Sequence, residues 1–345
     1  MGELLAALGP LGPQLDDGRV TDLLVNGTAG VWVDRGVGVE PAPVTLQDER
    51  SVRRLAVRLA AMAGQRLDEA SPWVDGLLPG GVRLHALLPP LVTGGAHVSL
   101  RIPRRAVPGL EDLRAWGAVD DLAETVLRGV VSSGASFVVS GGTGTGKTTL
   151  LSVLLGLVPP QERLVVVEDV RELRVDHPHV VHLQGRAANV EGRGEVPLTT
   201  LVRQSLRMRP DRVVVGEVRG AEVRELLTAL NTGHEGGCGT LHANSAADVV
   251  TRFEALGALA DLSPAAVHTQ LASAIHVVLH LDRGARGRRL GEVALLRQDA
   301  AGRVRCEAAL TGGPGAWRRG PAWVDLAARA KLTGGGVSGT GDGPP

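Results

Sequence analysis

The segment GGTGTGKTT at residues 141–149 constrains this chain more than any other part of its sequence. Gly141, Gly146, Lys147 and Thr148 satisfy the pattern G-x-x-x-x-G-K-[ST], in which backbone N–H groups surround phosphate groups. A β-branched strand precedes the segment and an apolar helix follows it, so glycine-permitted N–H groups and a helix N-terminus point at one anion. The alternative, a glycine-rich turn without a ligand, does not account for these flanking elements.

A P-loop of this kind predicts what its residues bind. Lys147 is expected to reach the β- and γ-phosphates of a nucleotide, and the Thr148 hydroxyl is expected to ligate Mg²⁺. The residues predicted to surround the nucleotide are Gly141, Gly142, Thr143, Gly144, Thr145, Gly146, Lys147, Thr148 and Thr149. We therefore expect ATP and Mg²⁺ at this site.

The 345-residue chain is long enough for two domains. Residues 1–107 are predicted as an α+β domain, because the strand-like segments TDLLV, VWV and VSLRI flank an amphipathic helix over residues 48–63. Residues 108–117 combine proline, glycine and mixed charges, which predicts a linker. Residues 333–345 are rich in Gly, Ser, Thr and Pro, which predicts a disordered tail.

Residues 118–332 alternate apolar strands with helices. The strand-like segments SFVVS, LVVVED, RVVVGEV and GTLHA are each followed by a helical segment or a turn leading into one. Continuous apolar strands that alternate with helices indicate a parallel sheet buried on both faces. The sequence therefore predicts an α/β fold for this domain.

Two of these predicted strands end in acidic residues. Val213–Val215 are followed by Gly216 and Glu217, which places a carboxylate where open α/β sheets bind ligands. The strand LVVVED brings Glu168 and Asp169 to the same edge. Glu168 and Glu217 are predicted to hold Mg²⁺, directly or through water, and to orient the attacking water. Which glutamate is the principal catalytic group stays open, and Asp169 has the alternative of capping the next helix.

The segment GHEGGCGTLHANS places His234 and His242 on either side of a glycine-rich turn. One of them is predicted to sense the γ-phosphate, and a hydrogen-bonded structural histidine is the alternative. Metal binding by these two alone is not expected, because no third ligand stands at a suitable spacing. Arg203 and Arg207 precede the strand that ends at Glu217. They are candidates for the guanidinium that stabilises a transferring phosphoryl group, often supplied by another chain, with solvated surface charge as the alternative.

Charge and composition argue against nucleic acid as a stable partner. Lys plus Arg and Asp plus Glu both number 37, so no basic excess attracts a phosphate backbone. Aromatic residues make up 2% and tyrosine is absent, which leaves few surfaces for base stacking. The N-terminus has no basic segment before an apolar run, and no stretch has the length of a membrane span. We expect a cytoplasmic protein.

The motifs, in their order, resemble those of the type II and type IV secretion ATPases, and most closely the tight-adherence (Flp-type) pilus-assembly and conjugal-transfer branch. LLVNG, RLHALLPP and VSLRIPR precede the P-loop, and VVVEDVREL, LRMRPDRVVVGEVRG and GHEGGCGTLHANS follow it. The likeness spans roughly residues 20–300 and rests on the set of motifs. The four-cysteine zinc module of some type II relatives is absent from this sequence, which favours the shorter branches.

This resemblance implies a RecA-like P-loop NTPase domain, preceded by a smaller α+β domain, in a homo-oligomer, with a hexameric ring as the expected form. Arg83 and Arg101 match N-terminal arginines that reach the nucleotide. The acidic and histidine boxes of the family match Glu168, Glu217, His234 and His242. The resemblance also implies integral membrane components of a pilus or secretion apparatus as partners, at the inner face of the cell membrane.

The sequence thus predicts an ATP-hydrolysing ring motor that powers pilus assembly or secretion. One alternative is a nucleic-acid translocase or helicase on the same core, which the charge balance disfavours. The other is a nucleotide-binding scaffold without catalysis, which the intact Lys147, Thr148, Glu168 and Glu217 disfavour.

Overall fold

The computed structural model describes residues 2–36, 38–46, 48–102, 107–186, 193–233, 235–284 and 287–332. The chain divides into two units, residues 1–106 and 107–345. Each unit has its own sheet, with one hydrophobic core in the first unit and two in the second. Within the described ranges, none of the helices has both the length and the apolar character needed to cross a membrane.

The first unit is an antiparallel sheet with a long helix. Its elements are α1 (Gly2–Leu8), α2 (Gly12–Asp16), β1 (Asp22–Asn26), β2 (Val31–Asp34), β3 (Val39–Pro41), α3 (Glu49–Met62), β4 (Trp73–Leu78), β5 (Val82–Leu87) and β6 (His97–Arg101). Among the described residues the strands run in the order β3-β2-β1-β6-β5-β4. The predicted α3, β1, β2 and β6 are confirmed, whereas α1, α2, β3 and β4 were not predicted.

Local chemistry explains where α3 lies. The Asp48 carboxylate caps the helix by accepting the N–H of Ser51 at 2.6 Å. Val52, Leu55 and Leu59 recur at helical spacing and are buried in the core of the first unit. The unpredicted β3 has only three residues, all exposed, so it carries no alternating pattern from which a strand could be recognised.

The second unit continues the numbering. Its elements are α4 (Leu110–Ala115), α5 (Asp121–Ser132), β7 (Phe137–Gly141), α6 (Lys147–Gly156), β8 (Leu164–Glu168), β9 (Val180–Gln184), α7 (Leu198–Ser205), β10 (Arg212–Val215), α8 (Val223–Asn231), β11 (Cys238–His242), α9 (Asp248–Leu259), α10 (Pro264–Ala274), β12 (Val277–Gly284), β13 (Gly287–Gln298), β14 (Val304–Thr311), β15 (Arg318–Arg319) and α11 (Trp323–Arg329).

The second sheet is parallel over most of its width. Among the described residues the strand order is β15-β14-β13-β12-β7-β11-β10-β8-β9. Neighbours from β12 to β9 are parallel, and neighbours from β15 to β12 are antiparallel. Strands β7, β8 and β10 are buried along their whole length between two hydrophobic cores. This architecture confirms the predicted α/β fold with a parallel-rich sheet.

The register of the parallel strands positions the candidate site. Gly141, the last residue of β7, pairs with His242 of β11 on one side and with Leu281 of β12 on the other. Strands β8 and β10 also run in parallel and pair up to Val167 and Val215. The strand ends therefore meet at one edge of the sheet, which we term the carboxyl edge, and the strand beginnings lie at the amino edge.

The prediction of a linker at residues 108–117 was wrong. The segment contains α4, and its Leu110 and Leu113 are buried in the same core as Phe137 of β7. The Asp112 carboxylate accepts the N–H of Gly109 at 2.8 Å, so the proline and glycine read as linker residues stand at the start of a capped helix. The tail predicted at residues 333–345 lies outside the described residues.

Candidate functional site

The loop between β7 and α6 depends on glycine. Gly141, Gly144 and Gly146 have φ angles of 151°, 70° and 100°, which side-chain-bearing residues rarely adopt. A Cβ on Gly141 would lie 2.6 Å from the carbonyl oxygen of Leu281 and 2.7 Å from Thr145 Oγ1. Helix α6 begins at Lys147, directly after Gly146. The predicted P-loop therefore has the close backbone turn and the helix start that phosphate binding requires.

Lys147 is bound to its own loop. Its Nζ donates to the carbonyl oxygens of Gly141 at 3.0 Å and Gly142 at 2.8 Å, and the residue is 7% exposed. Burial lowers the pKa of this ammonium, and the Glu217 carboxylate acts in the opposite direction. A largely desolvated cation held by neutral carbonyls suits a phosphate group, which offers it a full negative charge.

His242 connects Lys147 to Glu217. Its Nδ1 lies 3.5 Å from Lys147 Nζ, and its Nε2 lies 2.9 Å from Glu217 Oε1. Because an ammonium only donates, Nδ1 accepts, and the ring proton is on Nε2 and is donated to Glu217. Burial lowers the pKa of His242, as does the charge of Lys147, while Glu217 opposes both. Burial and the charge of Lys147 therefore both favour the neutral imidazole.

The backbone around Glu217 is tied to strand β11. The Thr240 hydroxyl donates to the carbonyl oxygen of Gly216 at 2.7 Å, and the N–H of Val218 donates to the carbonyl oxygen of Thr240 at 2.9 Å. These two bonds hold the residues on both sides of Glu217. Strand β11 therefore positions Glu217 and supplies His242 from its own last residue.

Glu168 occupies a different environment at the same edge. It is 6% exposed, and its Oε1 accepts the N–H groups of Glu172 at 3.0 Å and Leu173 at 2.8 Å. Its Oε2 lies 3.6 Å from His182 Nδ1. A Cβ on Gly216 would lie 2.6 Å from Glu168 Cγ, so the glycine before Glu217 makes room for this side chain. Glu168 thus orders the loop after β8 and packs against the end of β10.

The other predicted residues lie further from this cluster. Asp169 forms an ion pair with Arg219 and caps no helix, because the described residues 170–186 contain none. Arg203 pairs with Glu225 of α8 at 3.1 Å, and its side chain is 65% exposed. Arg207 is exposed in a short 3-10 helix just before β10. It therefore lies near the amino edge of the sheet, where β10 begins. His234 lies outside the described residues.

The two predicted arginines of the first unit are cross-strand partners. Arg83 of β5 pairs in register with Arg101 of β6, so both side chains project from the same face of that sheet. On the other side of β6, Asp22 of β1 pairs with Arg101. Arg83 and Arg101 therefore form one cationic position rather than two separate ones.

The structure also brings residues to the P-loop that the sequence did not indicate. The Arg283 guanidinium donates to the carbonyl oxygen of Gly144 at 3.4 Å. His280, buried one residue before Leu281, lies with its Nδ1 3.0 Å from Ser140 Oγ at the end of the P-loop strand. Which residues of β12 and β13 meet the P-loop depends on the register of these strands, which the sequence pattern does not fix.

The donors at the carboxyl edge fit Mg²⁺ and a nucleotide. Thr148 stands in the first turn of α6 and supplies a hydroxyl, and Glu217 supplies a carboxylate. Oxygen ligands of this kind, completed by water and phosphate oxygens, are those that Mg²⁺ prefers. The loop amides and Lys147 suit the phosphates themselves.

Comparison with known proteins gives matches over most of the chain. A family model described as "Type II/IV secretion system protein" matches residues 5–313. A protein of Mycobacterium tuberculosis (strain H37Rv), assigned by its name to conjugal transfer, is 55% identical in an alignment of 307 residues that covers 87% of each chain. The conjugal transfer protein TrbB of Rhizobium radiobacter is 32% identical over 286 residues, covering 81% of this chain and 84% of TrbB.

Solved structures give matches in fold. The pilus retraction motor PilT, solved with bound ADP, aligns with a TM-score of 0.61 and 21% identity over 84% of this chain and 83% of its own. The Legionella pneumophila ATPase DotB aligns with a TM-score of 0.57 and 18% identity over 86% of this chain and 82% of its own. At these identities the likeness concerns the arrangement of the backbone.

Proposed function

This chain belongs to the type II/IV secretion system protein family, and we propose that it hydrolyses ATP within a ring of identical subunits to drive pilus assembly or secretion. Family membership confirms the resemblance predicted from the order of motifs, and with it the class of secretion and pilus motor ATPases. The likeness to PilT and DotB confirms the predicted RecA-like P-loop domain with a smaller domain before it.

The observation that carries the proposal is the chain of contacts from Lys147 through His242 to Glu217 beside the P-loop. When a nucleotide binds, Lys147 exchanges its two loop carbonyls for β- and γ-phosphate oxygens. His242 keeps its Nε2–H on Glu217 Oε1 and fixes that carboxylate, whose Oε2 then accepts a hydrogen bond from the attacking water. Bound Mg²⁺ would neutralise charge on the phosphate oxygens, with Thr148 and Glu217 as the residues that hold it.

We assign Glu168 a positioning role in the same site. One of its oxygens holds two backbone N–H groups, and its side chain fills the space beside Gly216. The hydrogen bonds hold the loop after β8, and the packing against Gly216 keeps the ends of β8 and β10 together. Glu168 therefore acts on the reaction through Glu217 in this proposal, and a direct role of Glu168 as the base is the competing assignment.

Residues from neighbouring subunits would complete the site. We propose that Arg83 and Arg101 of one subunit reach the nucleotide of the next, which their shared face and the exposure of Arg101 in β6 support. Arg203 is already neutralised by Glu225, so the exposed Arg207 is the better candidate for a cation offered to a neighbour. His234 and His242 both stay candidates for the histidine that senses the γ-phosphate. Six copies are the expected number.

The partners proposed for the ring are integral membrane components of a pilus or secretion apparatus, at the inner face of the cell membrane. The name of TrbB, a conjugal transfer protein, supports a transfer apparatus of this kind. No stable nucleic-acid partner is expected, because the charges of the chain balance.

The proposal is tested by ATP turnover of the purified full chain in the presence of Mg²⁺. Lys147→Ala should lower turnover about a hundredfold or more, because the variant loses its cation at the transferred phosphate. The chain offers a matched control: Lys331 is the only other lysine, and it is exposed, so Lys331→Ala should hydrolyse ATP like the wild type.

Two results would contradict the proposal. Wild-type protein that binds ATP but turns it over no faster than Lys147→Ala would be a scaffold. Turnover that requires single-stranded DNA, with salt-sensitive DNA binding, would favour a nucleic-acid translocase.

A further inference from the structure

The hairpin formed by β12 and β13 runs beside the P-loop. Strand β12 is parallel to β7, and the register pairs Leu281 with Gly141, the first glycine of the P-loop. The residues of β12 after Leu281 therefore continue next to the loop itself. The N–H of Leu290 on β13 donates to the carbonyl oxygen of Ala118 at 2.9 Å, which anchors the hairpin to the body of the second unit.

Two successive cross-strand pairs of this hairpin differ in charge. Asp282 pairs with Arg289, and their side chains form an ion pair at 2.8 Å. The next pair is Arg283 opposite Arg288. Opposed residues of antiparallel strands share a face, and like charges placed directly opposite each other are destabilising. The Arg283–Arg288 pair, which we term the arginine pair, is therefore a feature whose cost requires an explanation.

The arginine pair faces the P-loop. Arg283 Nη2 lies 3.4 Å from the carbonyl oxygen of Gly144, and a Cβ on Gly144 would lie 3.1 Å from the same nitrogen. Arg288 Cδ lies 3.7 Å from the position of a Cβ on Gly146. Within the described residues, Arg283 meets a carbonyl and forms no ion pair with a carboxylate. The Arg283 guanidinium and the side-chain stem of Arg288 thus lie at the loop where the proposed function places a phosphate chain.

A second arginine pair shows how the same register is neutralised elsewhere. Arg297 of β13 pairs in register with Arg305 of β14. Arg297 forms ion pairs with Glu307, at 3.1 Å, and with Asp325, and Arg305 lies 3.5 Å from Asp299. Carboxylates of the same chain therefore compensate this pair. No such carboxylate serves Arg283 in the part of the chain that the structure describes, and Arg283 is exposed, so its charge is accessible to an external anion.

The strand order determines which part of a nucleotide the arginine pair would meet. The P-loop strand β7 stands between β11, which ends at His242 beside Glu217, and β12, which leads into the hairpin. If the γ-phosphate lies at the His242 and Glu217 side, the α-phosphate lies toward the opposite side. That side is the one that Arg283 and Arg288 occupy.

We propose that Arg283 and Arg288 bind the α- and β-phosphates of the nucleotide and set its affinity. This assignment rests on the proposed function, because it takes the γ-phosphate to lie beside Glu217. The arginine pair acts on groups that ATP and ADP share, so it strengthens the binding of both to the same degree. It differs in this respect from a cation that acts on the γ-phosphate during hydrolysis.

The test compares Arg283→Gln, Arg288→Gln and the double variant with the wild type, using the full chain. Equilibrium binding is measured for ADP, for ATP without Mg²⁺ and for inorganic pyrophosphate. Each single substitution should weaken all three about tenfold, the factor expected for one charge-assisted hydrogen bond. In turnover assays kcat/KM should fall by the same factor and kcat by much less.

Arg305→Gln is the matched control, because it removes one arginine of the compensated pair at a distance from the P-loop, and it should bind all three ligands normally. Thermal melting of each variant verifies that it is folded. Unchanged affinity for ADP in the double variant would overturn the proposal. Weakened binding of ATP alone would also overturn it, because that result indicates a contact to the γ-phosphate. Weakened binding of ADP with normal binding of pyrophosphate would overturn it as well, because that result indicates a contact to the nucleoside.

These outcomes are separable from failure of the proposed function. If the wild type hydrolyses ATP and Lys147→Ala does not, the proposed function stands whatever the hairpin variants do. If the wild type binds no nucleotide, both proposals fall together.

Discussion

The carboxyl and amino edges of the second sheet each bury a cation, but the partners of these cations differ. At the amino edge, Arg212 donates to Glu162 at 2.6 Å and to the carbonyl oxygen of Val131 at 3.1 Å, with its side chain 4% exposed. At the carboxyl edge, Lys147 donates to the carbonyl oxygens of its own loop. One edge neutralises its buried cation with a carboxylate, whereas the other leaves the charge available to an anionic ligand.

Loss of the cation at the amino edge is expected to have the largest effect on stability. Arg212→Leu should lower the free energy of unfolding by about 3 kcal/mol, because it breaks a largely buried ion pair. Urea unfolding followed by circular dichroism measures the change. Binding of ADP to the folded variant should stay normal, because this cation stabilises the fold and does not face the P-loop.

The double variant Arg212→Leu with Glu162→Leu tests whether the lost stability comes from the unpaired charge of Glu162. It removes both charges and should recover part of the lost stability. If Arg212→Leu instead weakened ADP binding in folded protein, the two edges would not be independent.

At the carboxyl edge, the two glutamates should separate in turnover. Glu217→Gln should lower kcat about a hundredfold, because the carboxylate beside Lys147 and His242 is lost. Glu168→Gln keeps an oxygen that can accept the N–H groups of Glu172 and Leu173, so its kcat should fall less. Steady-state hydrolysis at saturating ATP gives both values. The reverse order of the two losses would assign the catalytic base to Glu168 instead.

The smallest effect is expected at Arg203, which lies on the helix layer between the two edges. Its partner Glu225 is nearly buried, but the arginine itself is mostly exposed, so Arg203→Gln should cost at most about 1 kcal/mol of stability. Turnover of the variant should stay within about twofold of the wild type, a factor that corresponds to less than 0.5 kcal/mol. A much larger loss of turnover, with the melting temperature unchanged, would restore the catalytic role predicted from the sequence.

Short-range patterns made much of this site predictable. The P-loop is a contiguous motif, and the residues at the end of an apolar strand lie at the carboxyl edge whatever the order of the strands. Lys147, Glu217 and His242 could therefore be named from the sequence. The contacts between them depend on β7, β11 and β10 being neighbours, which a local pattern does not encode.

The features that the sequence did not reveal depend on long-range pairing. Arg283 and Arg288 meet the P-loop because Leu281 pairs with Gly141, 140 positions away along the numbering. The edge strand β9 lacks the continuous apolar run of its neighbours, with His182 in its centre, and was not predicted. Helix α4 was read as a linker because its capping segment contains proline and glycine, although its two leucines complete the core.

Thr240 joins the two strands that carry the chemistry. Its hydroxyl and its carbonyl oxygen form hydrogen bonds with the backbone before and after Glu217. The Glu217 carboxylate and the His242 imidazole are therefore held together as one rigid group. In the proposed ring, movements elsewhere would change what approaches these two residues without altering the distance between them. Contacts from neighbouring subunits would form and break in each cycle of hydrolysis, while Glu217 and His242 stay aligned.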